Sequence, residues 1–128
     1  AIIGYRTYPK GDALTQVHDL ELAGAELSRR YPELCLHGSE LGVTTIGHSS
    51  GAHILGLMIV ERLRRRMESS RWGFYPRNNK PLMRIDATFG ISGPFDIAHH
   101  FQFEASRGVE ELSPMQPACG GKSLFYRH

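Results

Sequence analysis

The segment LGVTTIGHSSGAHILGLMIV, residues 41 to 60, joins two apolar patterns of different period. The first pattern contains the β-branched run VTT, which favours a strand from Leu41 to Ile46. After Gly51 the apolar residues recur at a period near 3.6, which predicts a helix to about Met67. The chain therefore changes from strand to helix within a few residues, and Ser49 lies at the corner between them.

The rest of the sequence continues this alternation of strands and helices. Apolar runs predict two more strands, and helical periodicity with local capping residues predicts two more helices. These elements are strands Ala1–Thr7 and Ile85–Ser92, a helix from the N-cap Asp12 to near Pro32, and a helix from Phe95 to about Ser106, ended by Gly108. A loop is predicted from Arg71 to Lys80, and an irregular tail beyond Leu112. The pattern is typical of an α/β protein with parallel central strands and crossover helices.

Composition excludes several classes of protein. The chain has 128 residues, 41% hydrophobic and 22% charged, which is ordinary for one globular domain and unlike a disordered or coiled-coil chain. A net charge of +2 gives no indication of a nucleic-acid partner. The run 41 to 60 is interrupted by glycine, serine and histidine, so neither a membrane span nor membrane association is predicted.

The two cysteines give only a weak indication of compartment. Cys35 and Cys119 lie far apart in the sequence and form no C-x-x-C pair, so neither a disulfide framework nor a zinc site is predicted. This usage is compatible with a reducing compartment and slightly favours the cytoplasm. The sequence otherwise leaves localisation open.

The residues Gly47-His48-Ser49-Ser50-Gly51 fit the pattern G-x-S-x-G between a predicted strand and a predicted helix. In that context the serine takes a strained backbone conformation and presents its hydroxyl at the end of the sheet, and a Cβ at either glycine is expected to clash with nearby backbone. The Ser50 amide, at the helix N-terminus, is expected to bind the oxyanion that forms when Ser49 attacks a carbonyl. The pentapeptide also occurs by chance in loops, so the flanking strand and helix are what make Ser49 a candidate nucleophile.

Three segments together resemble α/β-hydrolases of the esterase group. They are YRTYPKG at Tyr5–Gly11, GHSSGAH at Gly47–His53 and SGPFD at Ser92–Asp96. Isoprenylcysteine methylesterase-like and kynurenine formamidase-like enzymes carry similar segments in this order, although they usually have alanine at the position of Ser50. The resemblance implies a three-layer α/β-hydrolase fold and a Ser-His-Asp enzyme without cofactor, with Ser49 as nucleophile and Ser50 as oxyanion donor.

The resemblance also implies segments that the chain does not contain. In such enzymes a His-Gly-Gly segment ahead of the first strand supplies other oxyanion donors, and the triad acid and histidine follow two later strands. We therefore expect residues 1–128 to be the central part of a single hydrolase domain, with the N-terminal oxyanion segment and the C-terminal acid and histidine segment missing. Alone, such a piece is expected to show little turnover and low solubility.

Other polar residues are weaker candidates for the triad. Asp96 follows the third predicted strand and is either the triad acid or, as we favour, a helix cap. His48 is expected to be buried in the corner with the wrong geometry for a base, and His53 to be packed within the helix. The remaining histidines considered take solvated, lid-lining or terminal positions: His99, His100 and His128.

These observations predict a serine hydrolase of carboxylic esters that forms an acyl-enzyme at Ser49, of the carboxylesterase or methylesterase type. The expected partner is a small-molecule ester with an apolar part, and no metal, cofactor or nucleic acid is predicted. An arylformamidase acting on a formyl amide is the first alternative. The second alternative is a binding protein on a hydrolase fold without a working triad. The acyl group, the alcohol and the oligomeric state stay open.

Overall fold

A computed structural model describes residues 1–35, 42–72 and 83–121. Within these ranges the chain forms two strands and five helices. They are, in chain order, α1 (Ala13–Arg30), α2 (Pro32–Cys35), β1 (Val43–His48), α3 (Ser50–Trp72), β2 (Ile85–Ile91), α4 (Ile97–Ser106) and α5 (Met115–Ala118). The protein therefore has a mixed α/β architecture, as the alternating pattern predicts.

Strands β1 and β2 form a two-stranded parallel sheet. Their register is irregular after the pair Val43 and Ile85, and then runs evenly from Thr44 opposite Ala87 to His48 opposite Ile91. Parallel neighbours need a crossover connection, and α3, which packs on both strands, lies between them in the chain. Both strands therefore end at the same edge of the sheet, and α3 starts at that edge.

The main core lies where α1 packs on α3. Its buried members come from these two helices: Ala13, Val17, Leu20, Ile54, Leu55, Leu57 and Met58. Ile3, Tyr5 and Ile85 are partly buried against this cluster. Full burial of one aliphatic side chain of this size is typically worth about 1.5 to 3 kcal/mol, so this contact holds α3 firmly in place. A partly buried ion pair between Arg62 and Glu21, 2.7 Å from Nη2 to Oε2, joins the same two helices.

The helix starts agree with the capping residues in the sequence. Asp12 caps α1, and its side chain accepts a hydrogen bond from the Thr15 amide at 2.8 Å. Asp96 caps α4 in the same way, at 2.8 Å from the His99 amide. The capping role predicted for Asp96 is thus confirmed, and α4 begins at Ile97, two residues later than predicted.

The predicted strand Ala1–Thr7 is wrong for the described residues, because this segment forms no ladder with β1 or β2. Its side chains do alternate: Ile3 and Tyr5 pack on the core, whereas Ile2 is fully exposed. Alternating burial is the pattern of a strand, but a strand also requires a hydrogen-bonded neighbour.

Other boundaries also differ from the sequence prediction, and β2 ends at Ile91, one residue before the predicted Ser92. β1 continues to His48, two residues past Ile46, while its predicted start Leu41 lies outside the described residues. α3 begins at Ser50 and runs to Trp72, so it takes in the first two residues of the predicted loop. Residues 73–80 of that loop lie outside the described part. The predicted irregular tail contains the short helix α5.

Among residues 1–35, 42–72 and 83–121, no helix is both long enough and apolar enough to span a membrane.

Candidate active site

Ser49 occupies the one residue between the end of β1 and the start of α3. Its φ angle is 53°, in the left-handed region that side chains other than glycine rarely adopt, at a typical cost of about 1 to 3 kcal/mol. The residue is exposed, and its amide donates to the Ile91 carbonyl at 2.9 Å. Ser49 therefore lies at the carboxyl edge of the parallel sheet, in the conformation that the motif predicts.

The two glycines of the motif have different reasons to be glycine. A Cβ on Gly47 would lie 2.6 Å from the Gly51 carbonyl oxygen and 2.7 Å from the Ala52 amide nitrogen, so the predicted backbone clash is confirmed there. A Cβ on Gly51 would meet only the Tyr5 hydroxyl, at 3.8 Å, which is ordinary van der Waals contact. The prediction of a clash at Gly51 is therefore wrong, because the first turn of α3 leaves space on that side.

The first turn of α3 has hydrogen-bond donors next to Ser49. The Ser49 carbonyl accepts from the amides of Ala52, at 3.0 Å, and His53, at 3.2 Å. The two amides before these, of Ser50 and Gly51, donate to no acceptor in the described part of the chain. Helix N-terminal amides carry a partial positive charge and bind anionic oxygen. The exposed residue Ser49 is thus followed at once by two donors suited to an oxyanion.

Tyr5 reaches the same turn from the N-terminal segment. Its hydroxyl lies 3.1 Å from Ser50 Oγ, and either atom can be the donor. The next residue, Arg6, is clamped to α1, since its amide donates to Asp19 Oδ2 at 3.0 Å and its Nη2 to Asp19 Oδ1 at 2.6 Å. The hydrogen bonds from the Arg6 guanidinium and amide lower the pKa of Asp19 to about 2. Sequence reasoning placed Tyr5 in a motif but gave it no role.

A second strained serine lies at the end of β2. Ser92 has a φ angle of 52°, and Gly90 pairs with Gly47 across the sheet. The two strands thus end in the same sequence pattern, Gly47-His48-Ser49 and Gly90-Ile91-Ser92. Sequence reasoning missed this likeness, although the repeated G-x-S at two strand ends is the signal that reveals it.

The histidines close in sequence to the motif do not provide a base for Ser49. His48 is exposed, which corrects the prediction that it is buried, because strand alternation turns Gly47 toward α3 and His48 away from it. The His53 side chain is only 7% exposed, so its predicted packing within the helix is confirmed. Among the side chains that the structure describes, none hydrogen-bonds Ser49 Oγ.

The candidate residues at the start of α4 and within it, Asp96, His99 and His100, form no hydrogen bond with Ser49 Oγ. Asp96 acts as the helix cap. His99 is exposed, and His100 Nε2 lies 3.6 Å from Glu104 Oε1 on the same helix. His128 lies outside the described residues. Within the described ranges, no cluster of three or more histidine, cysteine or acidic side chains is arranged to hold a metal ion.

Comparison with protein-family models, with curated proteins and with solved structures finds no match for this chain.

Proposed function

We propose that the protein is a serine hydrolase of carboxylic esters, with Ser49 as the nucleophile on a three-layer α/β-hydrolase fold. One observation carries the proposal: an exposed serine in a left-handed turn joins a parallel strand to a helix whose first two amides have no acceptor among the described residues. This arrangement suits acyl transfer, because the attacking hydroxyl and the donors for the resulting negative charge come from adjacent residues.

In the proposed reaction, Ser49 Oγ attacks the acyl carbon of an ester and forms a new carbon–oxygen bond. The carbonyl electron pair moves to the carbonyl oxygen, and the amide of Ser50, with that of Gly51 beside it, stabilises the charge. One such donor is typically worth about two to three orders of magnitude in rate. The alcohol then leaves with a proton, and water hydrolyses the acyl-enzyme.

The proposal requires a general base for the Ser49 proton. Without one a serine hydroxyl is a weak nucleophile, and the usual base is an imidazole that then protonates the leaving alcohol. No imidazole in the described residues bonds Ser49 Oγ, so the proposal requires a base from outside the described residues or one that reaches Ser49 when substrate binds.

A fluorophosphonate probe tests the assignment of Ser49. The full-length protein is expected to be labelled at Ser49, and Ser49→Ala is expected to remove the label. Ser92→Ala is the matched control, because Ser92 has the same strained backbone at the neighbouring strand end but no helix amides directly after it. Mass spectrometry of the labelled peptide identifies the modified residue.

Each other outcome of this experiment has a definite meaning. A label that persists in Ser49→Ala, or that disappears in Ser92→Ala alone, contradicts the proposed nucleophile. A folded full-length protein that takes up no label contradicts the hydrolase and favours a binding protein on the same fold. If Ser49 is labelled but an aryl formamide is cleaved faster than p-nitrophenyl acetate, the substrate class is a formyl amide instead of an ester.

A further inference from the structure

The hydroxyl groups of Tyr5 and Ser50 form an isolated pair beside the proposed nucleophile. Their oxygen atoms are 3.1 Å apart, and neither has another hydrogen-bond partner in the described part of the chain. Two hydroxyls carry two protons, and the bond between them uses one. Whichever of them donates to the other, one O–H remains available to a further acceptor.

The position of this pair is fixed by contacts of Tyr5 and of the residue that follows it. The Tyr5 side chain is partly buried against the core formed by α1 and α3. Arg6, the next residue, is held on Asp19 by its backbone amide and its guanidinium. The phenol therefore reaches Ser50 from an anchored segment, so little conformational freedom is lost when it binds a ligand.

The pair also lies in the same helical turn as the amides of Ser50 and Gly51, which have no acceptor among the described residues. Ser50 carries both one of these amides and one of the two hydroxyls, and the Tyr5 hydroxyl is 3.8 Å from the Cβ position of Gly51. Ser49 directly precedes this turn. An oxygen bound by the Ser50 amide would thus have a third donor close by.

We propose that the Tyr5 and Ser50 hydroxyls together donate one hydrogen bond to the substrate oxygen that becomes negative when Ser49 attacks. This inference rests on the proposed hydrolase function. It extends the oxyanion site from backbone amides to a pair of side chains that lie 45 residues apart in the sequence. Ser50 acquires a use for its hydroxyl that an alanine at this position cannot provide.

Steady-state kinetics of the full-length protein with p-nitrophenyl acetate test the pair. The double variant Tyr5→Phe with Ser50→Ala is expected to lower kcat by roughly 100-fold, since one oxyanion donor is lost, with KM within about 2-fold of the parent. Each single change leaves one hydroxyl without its partner and is expected to lower kcat by about 5- to 10-fold. Ser50→Thr keeps a hydroxyl and is expected to retain most of the rate.

The matched control is Tyr8→Phe, which removes the same phenolic oxygen from an exposed tyrosine three residues away and is expected to leave kcat unchanged. If the double variant fails to fold by circular dichroism, Ser50→Ala and Ser50→Thr alone decide the matter, because only the alanine is expected to lower kcat. A kcat within 3-fold of the parent in every variant, or a loss confined to KM, overturns this inference while labelling of Ser49 still supports the hydrolase. Absence of labelling in the parent overturns both.

Discussion

Strands β1 and β2 end alike, but the chain continues differently after them. Each strand ends in Gly-x-Ser, the glycines Gly47 and Gly90 are register partners, and the serines Ser49 and Ser92 have φ angles of 53° and 52°. After Ser49 the helix α3 starts at the next residue. After Ser92 four residues intervene before α4.

This difference determines how close the first helix amides lie to each serine. At α4 the side chain of Asp96 accepts from the His99 amide, and the first two amides, of Ile97 and Ala98, have no acceptor among the described residues but follow Ser92 by five and six residues. At α3 no side chain caps the helix, and the amides of Ser50 and Gly51 have no acceptor in the part of the chain that the structure describes. A strained serine is therefore not sufficient for a site. The helix amides that follow the serine at once are what distinguish the end of β1.

The largest difference is expected between the paired glycines. A Cβ on Gly47 would meet backbone atoms at 2.6 and 2.7 Å, which cannot move without displacing α3 from the sheet. A Cβ on Gly90 would meet Phe95 Cζ at 2.8 Å, the far end of a ring that is 58% exposed and able to shift. Gly47→Ala is expected to lower the free energy of unfolding by about 3 kcal/mol, and Gly90→Ala by about 1 kcal/mol, in urea titrations.

Gly51→Ala is the control for this comparison, because the added Cβ would have only an ordinary contact with the Tyr5 hydroxyl. Alanine is the better helix former, so the free energy of unfolding is expected to be unchanged or to rise by up to about 1 kcal/mol. Equal losses for Gly47→Ala and Gly51→Ala would show that the close approach of α3 to β1 is not what requires glycine at position 47.

Substitution of each strained serine by glycine separates the effect on stability from the effect on the labelling reaction. Ser49→Gly and Ser92→Gly each remove the side chain from a residue in the left-handed backbone conformation, which relieves strain. The free energy of unfolding is expected to rise by about 0.5 to 1 kcal/mol in each, once the greater entropy of glycine in the unfolded chain is subtracted. Only Ser49→Gly is expected to abolish fluorophosphonate labelling. A loss of stability in Ser49→Gly would mean that the hydroxyl makes a stabilising contact, against the interpretation that position 49 is strained for function.

Local signals in the sequence predicted the elements that local interactions define. Asp12 and Asp96 mark helix starts because each caps an amide three residues ahead. Likewise, the strand, the corner and the helix around Ser49 are encoded within one continuous segment.

Interactions between residues far apart in the sequence could not be predicted from local patterns. The segment Ala1–Thr7 has strand-like alternation, but its pairing depends on a neighbour that the pattern does not specify. The contact of Tyr5 with Ser50 spans 45 residues. α3 continues beyond the last residues with apolar helical periodicity, because ion pairs stabilise this part of the helix. Arg64 bonds Glu61 at 2.9 Å and Glu68 at 2.6 Å along the helix surface.

The smallest effect is expected at the clamp that holds Tyr5 near the end of β1. Hydrogen bonds from Arg6 lower the pKa of Asp19 to about 2 from 3.8, so this carboxylate stabilises the fold fully above about pH 4 and progressively less as the pH falls toward 2. Asp19→Asn is expected to lower the free energy of unfolding at pH 7 and to flatten its decline between pH 4 and 2, as followed by circular dichroism.

Glu26→Gln is the control for the effect of the clamp on labelling, because it removes a carboxylate whose pKa is lowered in the same way. The pKa of Glu26 is also lowered to about 2, by Arg29 and Arg30, but these partners lie three and four residues away on α1. Asp19 and Arg6 are 13 residues apart, so only their bond depends on the N-terminal segment staying on the helix. If the clamp positions Tyr5, Asp19→Asn slows labelling of Ser49 slightly and Glu26→Gln does not. Equal labelling rates in the two variants would mean that core packing alone holds Tyr5 against Ser50.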